Sequence, residues 1–177
     1  MGFDKDKMMI SEITKSIKLV TIKNKEFHAE VVNKKVKKGT DLCILFSRSM
    51  INQNISTISK KPPEVGDQVY NIAAPAGIFH PPAVPILDGY YSGYMTDRDS
   101  DMYTIPAVGG SSGSPVYNEN FEIVGSIYAA ATTFSHMSIS TTYKNMLAFI
   151  KESIGILKNK SKNKTKKVQK RPLLYWF

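Results

Sequence analysis

The chain has 177 residues and a formal net charge of +9. Apolar residues make up 42% and charged residues 22%, the proportions of a globular domain, which excludes wholesale disorder and a fibrous repeat. Eight of the 24 Lys and Arg residues lie at or after Lys158, where there is no Asp or Glu, so positions 1–157 are close to neutral and a polyanion-binding role for the whole protein loses its support.

The single cysteine, Cys43, cannot form an internal disulfide; inside the apolar run Leu42 to Phe46 it is expected to pack in the core. No stretch reaches the ~18 consecutive apolar residues of a membrane helix. Met1 to Ile10 carries charges of both signs and no apolar stretch of the signal-peptide kind.

In chain order, strands are expected over Ile17–Ile22, Glu26–Val32, Leu42–Phe46, Gln68–Ala73, Pro85–Met95, Met102–Val108, Pro115–Tyr117, Ile123–Ala129 and Met137–Ser140. Turn formers separate them, among them Asn24-Lys25, Lys38-Gly39, Pro62-Pro63 with Gly66-Asp67, and Asn118-Glu119-Asn120. Many short strands imply a sandwich or barrels. A hairpin with its turn near Val36-Lys37 would set Asp41 opposite Val32 and His28 opposite Leu45. Between Thr141 and Leu157, Tyr143, Leu147, Ile150, Ile154 and Leu157 recur at helical spacing and predict a helix docked by that stripe, with Ser140 or Thr141 as N-cap. Lys158 to Arg171 alternates Lys with Asn, Ser and Thr and is expected to be an unstructured tail, ending in the apolar Leu173-Leu174-Tyr175-Trp176-Phe177.

The segment Gly110-Ser111-Ser112-Gly113-Ser114-Pro115-Val116 carries the strongest chemical signal. A Ser in a Gly-flanked loop can expose its Oγ, while glycines let backbone N–H groups turn toward one point. A strand follows the loop, which argues against a lipase-type elbow, where Gly stands two residues after the Ser and a helix comes next.

This segment resembles the G-x-S-G-[GS]-P-[VL] signature of trypsin-like serine peptidases. Ile123-Val124-Gly125-Ser126-Ile127 is similar to that family's next strand, and Asp41-Leu42-Cys43-Ile44-Leu45 to its D-[IL]-A-[LI]-L segment. Gly66-Asp67-Gln68-Val69 through Pro75-Ala76-Gly77 resembles its G-[DE]-x-V…P-x-G element, and Leu87 to Gly93 its G-x-[VI]-S strand.

The resemblance implies an all-β, trypsin-like double β-barrel. Its domain would span 1–157, with a partial first barrel over about 1–62 and a second barrel with C-terminal helix over about 63–157, followed by the basic tail 158–177. It further implies a serine endopeptidase with Ser112 as nucleophile, Gly110 and Ser112 as the oxyanion hole, and Asp41 orienting a catalytic His. Tyr128, Ala129 and Ala130 would lie along extended peptide substrate, and Pro106 at the pocket floor, where a small or apolar residue before the cut bond fits better than Lys or Arg. No cofactor or metal is implied. The expected partner is a peptide or protein substrate, and binding of nucleic acid or an acidic surface through Lys158 to Arg171 is not expected to be the main role.

The histidine departs from the pattern, since no T-A-x-H-V-like segment precedes Asp41. His28 would lie ~13 Å along the strands from Asp41 and is expected at the surface. His80 sits in the Pro-rich Phe79-His80-Pro81-Pro82 loop, and His136 before a strand that would flank the specificity pocket. Ile17 to Val32 resembles strands that follow the family's His segment, so the opening strands would precede Met1. A shortened reading frame, the simplest account, a chain without catalysis, or a His from another chain would each explain the gap. The alternative function is an inactive, peptide-binding module on the same fold.

Overall fold

The computed structural model describes residues 17–21, 23–50, 55–131 and 134–169, the side chains of Met50 and 161–169 excepted. The expected strand end at Ile22 and the apolar tip at Leu173 to Phe177 lie outside the described residues. Among the described residues there are ten strands and a long helix: β1 Lys18–Val20, β2 Glu26–His28, β3 Glu30–Lys37, β4 Thr40–Phe46, β5 Gln68–Ile72, β6 Ile86–Met95, β7 Ser100–Tyr103, β8 Pro115–Tyr117, β9 Ile123–Ala130, β10 Ser138–Thr141 and α1 Tyr143–Gln169.

Six strands close into a barrel in the order β10-β7-β6-β5-β8-β9, and the pairs β1-β2 and β3-β4 form two further two-stranded sheets. Alternation and register shifts on β9 together build the barrel, Val69, Tyr91, Val116, Val124 and Ile127 forming one core with Tyr103, Ile105 and Ala107. Closure gives each of the six strands two neighbours, although the pairing does not run the full length of every strand.

The first hairpin differs from expectation. Glu26–Val32 is divided at Ala29 into β2, which pairs with β1 (Lys18 opposite His28), and β3, which pairs with β4. The turn falls at Lys38-Gly39, so Asp41 faces Val36 and Leu45 faces Val31. Gly39 accounts for the displacement: its φ is +69°, and its Cα rests against the backbone of Asp99, where a side chain would collide. Cys43 is exposed, not buried in the core as expected, because Asp41 and Cys43 share the outward face of β4. Partial burial lifts its thiol pKa above the ordinary value, so it is no activated thiolate.

The helix also departs from its predicted face and length. Its fully buried residues are Met146, Phe149 and Ser153, whereas Ile154 is 45% exposed. The contact face is thus turned by one residue, about 100°, from the expected stripe. A serine can occupy that face because its hydroxyl is satisfied, donating to the Phe149 carbonyl at 2.7 Å and accepting from Asn33 Nδ2 at 3.1 Å. The N-cap is Thr142, whose Oγ1 accepts from Asn145 N–H at 3.2 Å, and Asp101 from β7 accepts the Tyr143 N–H at 3.1 Å. The helix continues to Gln169, so the start of the expected unstructured tail is helical. Lys is a good helix former, and propagation from a docked helix avoids a new nucleation step.

Candidate active site

The loop from Val108 to Ser114 is tied down from several sides. Gly113 N–H donates to the Ile127 carbonyl at 2.7 Å and Ile127 N–H to the Ser114 carbonyl at 3.0 Å, which fastens the loop to β9. The φ angles of Gly110 (+97°) and Gly113 (+86°) are positive. Both lie where L side chains are strained, which explains the two glycines around Ser112.

The peptide planes that carry the Gly110 and Ser112 N–H groups both have their carbonyls pinned. Gly109 C=O accepts from Ala76 N–H at 2.7 Å, and Ser111 C=O accepts from Ser114 N–H at 3.2 Å and Ser114 Oγ at 2.6 Å. In a trans peptide the N–H points opposite to the C=O. The N–H groups of Gly110 and Ser112 therefore turn away from these anchors, and neither donates a backbone hydrogen bond among the described residues.

Ser112 is exposed, and its Oγ donates to the Tyr128 carbonyl at 3.3 Å. On one side β9 pairs with β10, with Ala129 opposite Ile139 and Ala130 opposite Ser138. On the other, its pairing with β8 stops at Ser126. Tyr128, Ala129 and Ala130 thus carry an edge beside Ser112 that no strand covers among the described residues. The Tyr128 ring is held elsewhere, its OH lying 2.7 Å from Ser100 Oγ.

Asp41 reaches this region through its backbone. Its N–H donates to Thr141 Oγ1 at 3.3 Å, and Thr141 pairs with Ser126, two residues from Tyr128 on β9. The Asp41 side chain is exposed and takes part in no hydrogen bond or ion pair among the described residues. Pro106 is half-buried between the buried Ile105 and Ala107, and Ala107 N–H donates to the Ser135 carbonyl at 2.9 Å.

The histidines stand apart from both residues. All three are exposed: His28 on β2, His80 in the short bridge to Ala83, and His136 with its ring 5.3 Å from that of Phe134. None hydrogen-bonds to Ser112 or Asp41 among the described residues.

Sequence reasoning missed two groups of residues. Asn71 is fully buried at an inward position of β5, and its Nδ2 donates to Ser114 Oγ and to the Pro115 carbonyl, both at 2.8 Å. An Asn at the inward phase of an apolar strand was the available signal. Asp101 is 4% exposed at the edge of a groove of about 530 Å³ that Pro62, Pro63, Tyr91, Tyr143 and Leu147 also line. It accepts from Tyr91 OH at 3.0 Å, and burial raises its pKa above the ordinary carboxylate value. The groove shares no residue with the Ser112 loop. Among the described residues no group of three or more His, Cys, Asp or Glu could hold a metal ion.

No protein-family profile matches the chain, and no curated protein is similar to it in sequence. Solved structures are similar in fold. A serine endoprotease from Yersinia pestis superposes with a TM-score of 0.65 at 17% identity, over 77% of this chain and 48% of that one. The Rv3671c protease from M. tuberculosis gives 0.59 at 17% identity as an inactive mutant, over 74% of this chain and 67% of that one. Its active form gives 0.56 at 18% identity, over 72% and 59%. The chain thus spans about half to two thirds of the length of these proteins. With a closed six-stranded barrel, a C-terminal helix and, among the described residues, a first barrel present as paired strands, the chain has the trypsin-like serine protease fold.

Proposed function

We propose that the chain carries the nucleophile half of a serine endopeptidase site. The observation that supports this reading is the Ser112 loop: an exposed hydroxyl beside an uncovered strand edge, next to two N–H groups whose peptide carbonyls are pinned the other way. In the reaction, Ser112 Oγ gives its proton to a base and attacks the substrate carbonyl carbon. Gly110 and Ser112 N–H groups stabilise the resulting oxyanion, and collapse breaks the C–N bond as the amine takes the proton. Water then hydrolyses the acyl-enzyme. Substrate backbone would pair along Tyr128 to Ala130, with Pro106 near the pocket floor. Asp41 would orient an imidazole placed between it and Ser112.

The base is the missing part, and the chain alone is expected to be nearly inactive. The test is labelling of Ser112 by a fluorophosphonate, followed by intact mass, with and without added imidazole. The expected result is slow labelling that imidazole accelerates and Ser112→Ala abolishes. Labelling that imidazole leaves unchanged, or that falls on another residue, would overturn the proposal.

A second reading, an inactive peptide-binding module, is favoured by the exposed positions of all three histidines. It predicts saturable binding of extended peptides that Ser112→Ala leaves intact, without acylation under any condition.

A further inference from the structure

We infer that Asn71 and Ser114 are positioning residues that hold the Ser111–Ser112 peptide with its N–H outward, and so create one of the two oxyanion donors. The inference rests on the oxyanion site proposed above.

The hydrogen bonds form a directional chain from the barrel core to the loop. Asn71 Nδ2 donates to Ser114 Oγ and to the Pro115 carbonyl, each at 2.8 Å. Having accepted that bond, the Ser114 hydroxyl spends its own proton on the Ser111 carbonyl at 2.6 Å. Exchanging the amide's O and N would set Oδ1 against the Pro115 carbonyl, two acceptors facing each other, so the network itself fixes the orientation. The Ser111 carbonyl receives a second, longer bond from Ser114 N–H at 3.2 Å.

Rotation of this peptide would break both bonds and leave the Ser114 hydroxyl without its acceptor. It would also aim the Ser111 carbonyl where the oxyanion must sit, replacing a donor with an acceptor. The other donor is fixed separately, because the Gly109 carbonyl is held by Ala76 N–H. The network therefore governs Ser112 N–H and not Gly110 N–H.

Asn71 bears a cost that an apolar residue would avoid. It is fully buried on the inward face of β5, and its Oδ1 has no hydrogen-bond partner. The side chain's contribution lies wholly on the Nδ2 end, which leads to the loop.

The test is an NMR titration of the ¹⁵N-labelled full chain with N-acetyl-trialanine, whose carboxylate serves as an oxyanion probe. In the wild type, the amide protons of Gly110 and Ser112 are expected to move downfield together. In Ser114→Ala, which keeps only the longer backbone bond to the Ser111 carbonyl, the Ser112 response should fall to a small fraction of wild type and the apparent Kd rise about tenfold, while Gly110 still responds. Ser114→Thr, which keeps the hydroxyl, should restore both. Asn71→Ala leaves the Ser114 hydroxyl in place but unanchored, so the Ser112 response should shrink in the same direction, and it decides the matter if Ser114→Ala does not fold. A merely structural role would lower thermal stability but leave the Ser112 response at its wild-type size, and that outcome overturns the inference. No response at either amide in the wild type is a separate result, which overturns the oxyanion reading itself.

Discussion

Gly110 lies so close to Ala74 that a Cβ at position 110 would stand 2.5 Å from the Ala74 carbonyl oxygen. The N–H groups of Ala76 and Gly77 would be 3.2 and 3.3 Å away, so backbone encloses the position. Gly110→Ala therefore meets both this collision and a φ of +97°. Strain in left-handed backbone alone costs about 1–2 kcal/mol. Urea denaturation should show a loss of at least that size, and carboxylate binding by the loop should fall with it. An unchanged urea midpoint would mean that the loop re-forms with position 110 outside the left-handed region and the 74–77 segment displaced.

Ser112→Ala should behave in the opposite way. The side chain is exposed and makes one long hydrogen bond, to the Tyr128 carbonyl at 3.3 Å. Its removal is expected to leave stability within about 0.5 kcal/mol of wild type, read from thermal melts, while abolishing fluorophosphonate labelling. A large drop in Tm would show that the hydroxyl is structural.

Tyr128→Phe separates ring from backbone. It deletes the 2.7 Å contact with Ser100 Oγ, a residue that is fully buried. The expected cost is about 1 kcal/mol of stability, because Ser100 also donates to the Arg98 carbonyl and keeps a partner. Peptide binding along β9 should persist, since it would use the carbonyl and N–H groups of that edge. Loss of binding with unchanged stability would place the ring itself in the substrate groove.

Asp101 gives the protein a pH dependence of predictable sign. Burial raises its folded pKa above 3.8, with nearby Asp99 adding to the shift and the bonds from Tyr143 N–H and Tyr91 OH opposing it. Between 3.8 and the raised value, the native protein keeps a proton that the unfolded chain has released. Stability from this group is thus fully present below 3.8, falls as pH rises through that window, and then levels off. Asp101→Asn cannot ionise and can still accept the Tyr143 N–H, so its denaturation midpoints should lack that fall. A variant with the wild-type pH profile would show that another group governs it.

Much of the barrel is readable from residue order because alternation and turn chemistry act locally. Pro115 to Tyr117 forms a strand with the expected bounds, and Gln68 to Ala73 and Pro85 to Met95 differ from theirs by one residue. The errors arise where a distant contact decides. The β3–β4 register depends on Gly39 meeting Asp99, and the buried face of α1 depends on Asn33 satisfying Ser153. At the candidate site, the Gly-rich loop announces Ser112, whereas Asn71 acts from 43 positions away through Ser114 and stays invisible to any local motif.

The helix α1 grips both halves of the molecule. Asp101 of the barrel holds its first N–H, while Asn33 and Lys35 of β3 hold Glu152 and Ser153, Lys35 at 3.2 Å. Ser112 belongs to one half and Asp41 to the other, so α1 is a second link between them, beside the direct bond from Asp41 N–H to Thr141 Oγ1. Inserting one residue between Tyr143 and Glu152 would advance its far end by about 1.5 Å and turn it by about 100°. An indel on that helix would then pull the β3–β4 hairpin that carries Asp41 against its own tether at Thr141, without touching Asp41 or Ser112.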